Sequence, residues 1–133
     1  MMPTVHVSVM SGKLEGLLAV STNPLDNAFC MAQNSAICKK CYAIRGVKGY
    51  RANLGPALSR NSAALSSGKP FHLPLIPSAF VRFNAHGELI NRAHYSALCD
   101  IAGYNDHAKF ALWTKRPELC DVSKKPDNMM LIY

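Results

Sequence analysis

The sequence predicts a single α/β domain, residues 1–133, built as half of an eight-stranded βα barrel. A chain of 133 residues suits one domain of ordinary size. Hydrophobic residues make up 49% of the chain and charged residues only 17%, so it can bury a core and is not disordered. Short apolar runs alternate with helical patterns, which favours parallel strands joined by crossover helices. An open doubly wound sheet is the competing arrangement.

The predicted strands are apolar or alternating runs bounded by turn residues. An alternating stretch over Val5–Val9 predicts an edge strand. Further strands are predicted over Gly16–Ser21, Phe80–Asn84, Lys109–Thr114 and Asn128–Tyr133. These four later runs account for the expected number of parallel strands, which is about four for a half barrel.

The predicted helices lie between these strands. Glu88–Ala102 has the best helical pattern, since its apolar residues fall on one face. Gly103 follows at the position of a C-terminal capping glycine. Weaker patterns predict a helix over Tyr50–Ser66, a helix start within residues 38–48, and a short helix over Pro117–Val122.

Three of the five cysteines lie together in a loop, residues 27–43, after the first buried strand, with the spacing Cys30-x7-Cys38-x2-Cys41. A Cys-x2-Cys pair presents two thiolates to one metal centre, and a third cysteine from a loop can join them. Thiolate-rich sites suit iron–sulfur clusters and zinc. Structural zinc normally takes four protein ligands, whereas a 4Fe–4S cluster can be held by three. We therefore predict a 4Fe–4S cluster, with zinc and no metal as the alternatives.

The two remaining cysteines are predicted to have packing roles. Cys99 lies one position away from the apolar stripe of its helix. Cys120 lies in the short helix predicted after the Lys109–Thr114 strand. A role for Cys120 as a fourth metal ligand is the alternative.

A second group of polar residues follows the Phe80–Asn84 strand. Arg82, Asn84 and His86 alternate along the strand direction and are expected to point to one side. Glu88 follows at the predicted helix start, where the helix dipole stabilises a carboxylate. Polar residues at the carboxyl end of a barrel strand are typical of binding or catalysis. This pattern predicts Asn84 and His86 as binding residues, and Lys115, after the Lys109–Thr114 strand, can hold a carboxylate or phosphate at the same edge.

Composition also indicates partners and location. The net charge of +7 suits nucleic acid or an anionic small molecule, although a solvated basic surface is the simpler interpretation. No apolar run approaches the roughly 20 residues of a membrane span, and the N-terminus lacks a signal-peptide pattern. We expect a cytoplasmic protein without a membrane partner.

A half barrel leaves a sheet edge and an apolar flank uncovered, so a homodimer is predicted.

Four stretches of the sequence resemble a family of phage proteins, the gene-product-eighty-eight-like family. They are Ser11–Leu14, Cys30–Ala43, Arg82–Glu88 and Phe110–Lys115. The resemblance covers most of the chain, and the cysteine segment with its Tyr-Ala tail is its most specific part. That family is itself similar to radical S-adenosylmethionine (SAM) enzymes, which carry a three-cysteine 4Fe–4S site after the first strand of a partial βα barrel.

The resemblance implies a shortened partial barrel with Cys30, Cys38 and Cys41 as cluster ligands and SAM bound at the open iron. Gly87 and Glu88 match the end of a Gly-Gly-Glu-type motif that holds the methionine amino group. His86 takes the place of the first glycine, and the first cysteine gap is seven residues instead of three. A phage protein of this kind is expected in the host cytoplasm. A basic, zinc-stabilised nucleic-acid-binding module is the alternative function.

Overall fold

The computed structural model describes residues 2–10, 16–32 and 54–133, and its centre is a five-stranded sheet. The strands are β1 (Ser8–Val9), β2 (Leu18–Val20), β3 (Phe80–Phe83), β4 (Lys109–Trp113) and β5 (Met129–Ile132). They lie in the sheet in the same order as in the chain. The edge strand β1 is antiparallel to β2, and each later pair of neighbours is parallel. The predicted α/β class with four parallel strands is confirmed.

Three helices accompany the sheet in the described part of the chain. They are α1 (Ala28–Met31), α2 (Gly55–Ser66) and α3 (Arg92–Tyr104). None of the helices among these residues is long and apolar enough to cross a membrane. The helix start predicted within residues 38–48, and residues 50–53 of the helix predicted over Tyr50–Ser66, lie outside the described residues.

Helix α3 starts four residues later than the sequence predicted. Asn91 caps it, because the Asn91 Oδ1 atom accepts a hydrogen bond from the His94 N–H at 2.8 Å. Glu88 therefore precedes the helix and does not belong to its first turn. The predicted capping role of Gly103 is also wrong: Gly103 lies inside α3, and Asn105 is the C-terminal cap.

The prediction of one short helix over Pro117–Val122 is also wrong. The chain forms two separate 3-10 turns instead, Pro117–Leu119 and Val122–Lys124. Proline at the start of the first turn suits its fixed backbone angle, and the Asp121 side chain accepts from the Ser123 N–H at the start of the second.

One face of the sheet carries the hydrophobic core. Strand register and alternation put the same face of each parallel strand against the helices. The rings of Phe83 and Phe110 stack there with their centroids 4.9 Å apart. The other principal core residues are Val20, Val81, Leu112 and Met129 from the strands, Leu65 from α2, and Leu98 and Ile101 from α3.

The opposite face of the sheet, which we call the open face, is covered unevenly. Its residues are Ala19, Phe80, Arg82, Lys109, Ala111, Trp113, Met130 and Ile132, by strand register. Ala19 and Ala111 are buried, whereas Trp113 is 57% exposed. Parallel sheets are usually covered on both faces, so an exposed tryptophan here marks a surface available for contact.

Candidate functional site

The carboxyl ends of β2, β3 and β4 lie side by side and are followed by a group of polar residues that we call the polar edge. Its members are Ser21, Thr22, Asn84, His86, Glu88 and Thr114. All six are buried. Burying polar groups without compensating hydrogen bonds costs free energy, so their partners indicate which of them support the fold.

Backbone and hydroxyl hydrogen bonds keep β2 and β3 joined beyond their last strand residues. The Asn84 N–H donates to the Val20 carbonyl at 2.9 Å, and the Thr22 N–H donates to the His86 carbonyl at 3.3 Å. The His86 N–H donates to the Ser21 Oγ atom at 3.2 Å. The predicted site residues Asn84 and His86 are therefore held beside residues that directly follow β2.

Glu88 joins the β3 end to the β4 end. Its Oε1 atom accepts from the Thr114 hydroxyl at 2.5 Å and from the Leu89 N–H at 2.7 Å. Its Oε2 atom accepts from the Lys115 N–H at 2.8 Å. Hydrogen bonds to a carboxylate are stronger than neutral ones, so Glu88 fixes the two loops relative to each other. These three hydrogen bonds, and not a helix dipole, hold the Glu88 carboxylate in place.

Gly87 allows the β2 and β3 loops to approach closely. Its φ of +84° lies in the left-handed region, which side chains rarely adopt. A Cβ atom built at this position would lie only 2.8 Å from the Thr22 carbonyl oxygen. Glycine is therefore required here by both backbone conformation and space.

Asn84 is the exceptional member of the polar edge. It is only 6% exposed, and neither its Nδ2 nor its Oδ1 atom has a hydrogen-bond partner in the part of the chain that the structure describes. Its φ of +56° is also the sole left-handed value among the described residues other than glycine. Strain and unsatisfied polar atoms together are typical of functional positions. The Thr22 hydroxyl at the same edge is also buried and has no partner among the residues described.

Cys30 lies next to the polar edge. It belongs to α1, which Asn27 caps: the Asn27 Oδ1 atom accepts from the Phe29 N–H at 2.9 Å and the Cys30 N–H at 3.4 Å. The Asn27 Nδ2 atom donates to the Glu88 carbonyl at 2.9 Å. One side chain therefore ties the first cysteine to the loop after β3. Cys30 is partly exposed, which suits a ligand better than a core residue.

The other two predicted ligands, Cys38 and Cys41, lie outside the described residues. Within residues 2–10, 16–32 and 54–133, no three His, Cys, Asp or Glu side chains are grouped closely enough to hold a metal ion. The Lys115 N–H donates a hydrogen bond to Glu88, and the Lys115 side chain is exposed at the same edge.

Cys99 and Cys120 pack as the sequence predicted. Cys99 is 6% exposed, and its Sγ atom lies 3.9 Å from the Met129 Sδ atom in the core. Cys120 packs against the same core, and burial, with the nearby Cys99 and Glu88 as smaller causes, raises its thiol pKa to about 11. The packing of Cys120 against the core is the role that the sequence predicted for it.

Sequence reasoning missed Ser21, Thr22 and Thr114. Each directly follows a predicted or observed strand, and this was the signal that could have identified them. They belong to the same edge because their strands are neighbours, and the order of strands in a sheet is not visible in local patterns.

Comparisons of this chain with protein-family models, with curated proteins and with solved structures give no match. The cysteine spacing and the geometry of the polar edge are therefore the grounds for a functional conclusion.

Proposed function

We propose that this protein binds a 4Fe–4S cluster through Cys30, Cys38 and Cys41. The observation that carries the proposal is the position of Cys30, which is partly exposed, follows the carboxyl end of β2 and is tied through Asn27 to the loop after β3. Ligands of parallel α/β proteins gather at this edge. Cys38 and Cys41 belong to the same connection, between β2 and α2.

Two side chains at the same edge of the sheet suit a bound group. Within the described ranges, the Asn84 amide and the Thr22 hydroxyl are buried without hydrogen-bond partners, and Gly87 lets their two loops approach. Three thiolates match the chemistry of iron–sulfur ligation. A cluster held by three cysteines supplies an iron with one open position, at which a substrate or a cofactor such as SAM can bind.

The topology supports a partial βα barrel for this function. The strands follow one another in sequential order, and Leu65 of α2 shares one core with the residues of α3. A doubly wound sheet instead reverses its strand order at the point where ligands bind. We therefore include in the proposal the radical-SAM-like partial barrel and the likeness to the phage family.

Within this proposal, Glu88 is a positioning residue. Both of its carboxylate oxygens accept hydrogen bonds from the chain itself, which holds the β3 and β4 loops in place. Asn84, His86, Gly87 and Lys115 lie on the same edge and are available to line the space beside the cluster.

The test is the iron and sulfide content of protein purified and reconstituted without oxygen. We expect about four irons and four sulfides per chain and a broad absorption near about 400 nm. Cys30→Ser, Cys38→Ser and Cys41→Ser should each lose this absorption. Cys99→Ala is the matched control, because that thiol is in the core, and it should keep the absorption. A colourless wild-type protein would overturn the proposal.

Two further readouts separate the related functions. Zinc in place of iron, with salt-sensitive DNA binding, would identify the basic nucleic-acid-binding module that the net charge of +7 favours. Release of 5′-deoxyadenosine after addition of SAM and a reductant would extend the proposal to an enzyme. Cluster binding without that product would restrict the protein to a structural or redox role.

A further inference from the structure

We propose that a groove beside α2, which we call the α2 groove, binds the carboxylate and the hydrocarbon chain of a single fatty acid molecule. One wall of the groove is the side of α2 that carries Arg60 and Ala63, and the other wall is formed by residues 2–4 and 69–70. The volume of the groove is about 760 Å³, within the range that is typical of small-molecule sites. None of its lining residues belongs to the polar edge, so the proposal goes beyond the proposed cluster.

Hydrogen bonds within the chain hold the two walls of the α2 groove in place. The His72 N–H donates to the Pro3 carbonyl at 2.9 Å, which joins residues 2–4 to the segment that follows α2. The fully buried Asn61 side chain of α2 accepts from the His6 N–H at 2.8 Å and donates to the His6 carbonyl at 2.9 Å. The N-terminal segment is therefore fixed against α2, and the groove is built into the fold.

The lining of the α2 groove is mainly apolar. Ala63 and Ala64 contribute small side chains from α2, and Met2, Pro3 and Pro70 line the other wall. Such a lining suits a hydrocarbon chain, because contact with it removes apolar surface from water. A peptide would instead bring N–H and carbonyl groups into the groove, where they lose water and find few partners.

The hydroxyl group of Ser67, which also lines the groove, is already engaged by the chain itself. Its Oγ atom donates to the Ala64 carbonyl at 3.2 Å and accepts from the Lys69 N–H at 3.1 Å. These two hydrogen bonds fix the turn after α2, so Ser67 supports the groove and is not the group that recognises the ligand.

Two cations give the α2 groove a positive charge. Arg60 and Lys69 both line it, and none of the nine described residues in its lining is acidic. Neither cation has a carboxylate partner among the described residues, where the one ion pair joins Arg116 and Glu118. Cationic groups beside an apolar lining are complementary to a ligand with one anionic end and one hydrocarbon end. A fatty acid is the simplest molecule of that description.

Calorimetric titration of the purified full chain with sodium octanoate, below its micelle concentration and at constant ionic strength, tests the proposal. Sodium acetate carries the carboxylate without the chain, and 1-octanol carries the chain without the charge. We expect saturable binding of octanoate with a Kd at least about tenfold lower than that of either comparison ligand, since both parts contribute. No saturable binding of octanoate, or equal affinity for 1-octanol, would overturn the proposal.

Variants assign the binding to the α2 groove. Ala63→Glu introduces a carboxylate at an exposed lining position where glutamate suits a helix, and it should raise the Kd for octanoate by about tenfold. Arg60→Gln and Lys69→Gln should each raise the Kd by about two- to fivefold, as expected for the loss of one exposed charge.

Lys124→Gln is the matched control, because it lowers the net charge by the same amount as Ala63→Glu. Lys124 is exposed and does not line the groove, so its loss should change the Kd by less than about twofold. Circular dichroism verifies that each variant is folded. The proposal is wrong if Ala63→Glu binds octanoate with the same Kd as Lys124→Gln.

Sedimentation with phosphatidylglycerol vesicles distinguishes a single fatty acid from a membrane surface, which also combines anionic groups with hydrocarbon. The net charge of +7 attracts such vesicles wherever the cations lie, so we expect Ala63→Glu and Lys124→Gln to weaken vesicle binding equally. Vesicle binding that only Ala63→Glu abolishes, in a protein that does not bind octanoate, would replace the proposed ligand with a membrane surface.

Discussion

The two edges of the sheet use buried asparagine in opposite ways. At the amino edge, where β3 and β4 begin, Asn105 is fully buried and satisfied: its Oδ1 atom accepts from the Ile76 N–H at 2.7 Å, and its Nδ2 atom donates to the Pro74 and Ile101 carbonyls at 2.8 and 2.9 Å. At the carboxyl edge, Asn84 is 6% exposed, and both atoms of its side-chain amide lack a partner among residues 2–10, 16–32 and 54–133.

This difference indicates that the amino edge stabilises the fold, whereas the carboxyl edge is suited to binding. At the amino edge, side-chain amides form hydrogen bonds with backbone groups of different segments. Asn128 does the same as Asn105, since its Nδ2 atom donates to the Ala102 and Ala108 carbonyls, both at 2.8 Å. The carboxyl edge keeps strain and unused hydrogen-bonding capacity. Parallel βα folds divide their edges in the same way, with ligands at the carboxyl ends of the strands.

The largest expected effect comes from Asn105→Ala. The substitution leaves the Ile76 N–H and two carbonyls without their partners, and each buried group that loses its hydrogen bond costs about 1–3 kcal/mol. We expect the free energy of unfolding to fall by about 3–4 kcal/mol in urea titrations. A loss below about 1 kcal/mol would contradict the structural role of the amino edge.

A smaller effect is expected from the protonation of His94, at the start of α3 on the carboxyl side of the sheet. The Nδ1 atom accepts from the Ile90 N–H at 3.1 Å, and Nε2 is buried without a partner among the described residues. Burial lowers the ring pKa from 6.5 to about 3. The unfolded chain therefore binds one more proton than the folded chain between pH 6.5 and pH 3.

Stability should consequently decrease as the pH falls through this window, by up to about 1.4 kcal/mol per pH unit from this one group. His94→Asn retains an acceptor near the Ile90 N–H but does not titrate. Its free energy of unfolding, measured by urea titration from pH 7 to pH 5, should depend on pH less steeply than that of the wild type. Parallel slopes for the two proteins would show that His94 does not titrate as a buried neutral ring.

The smallest effect, and the one of opposite sign, is expected from Asn84→Gly. Glycine adopts the φ of +56° without strain and removes two buried, unpartnered polar atoms. We expect the free energy of unfolding to rise by about 1 kcal/mol, whereas Asn105→Gly should lower it. If both substitutions destabilise the protein to the same extent, the contrast between the two edges is wrong.

Much of the fold could be predicted from the sequence because the strands are short apolar runs between turn residues. Phe80–Phe83, Lys109–Trp113 and Met129–Ile132 each lie within the run that predicted them. The start of α3 could not be predicted, because more than one residue in this stretch could begin the helix. Glu88 resembles a helix-start carboxylate, but Thr114 and the Lys115 N–H engage it, and Asn91 becomes the cap.

The candidate site was predictable only in part. The positions of Asn84 and His86 at and beyond the end of a predicted strand indicated a binding edge, because burying polar residues there costs free energy unless they have partners. The absence of partners for the Asn84 amide depends on every neighbour in the folded chain, and no local pattern reveals it. The hydrogen bonds of Glu88 likewise join residues from two separate loops. Strand order and register determine which loop residues meet.

The register of the sheet also has a consequence for how the chain folds. Phe110 pairs with Met129 and Val81 with Phe110, whereas Leu18 pairs with Val81 across the longest stretch of chain in the sheet. Closing a longer loop costs more conformational entropy, so β3, β4 and β5 form the more local unit and β2 joins at the greatest entropic cost. The addition of β2 brings the Cys30 helix against Glu88, so the step that completes the sheet also completes the polar edge.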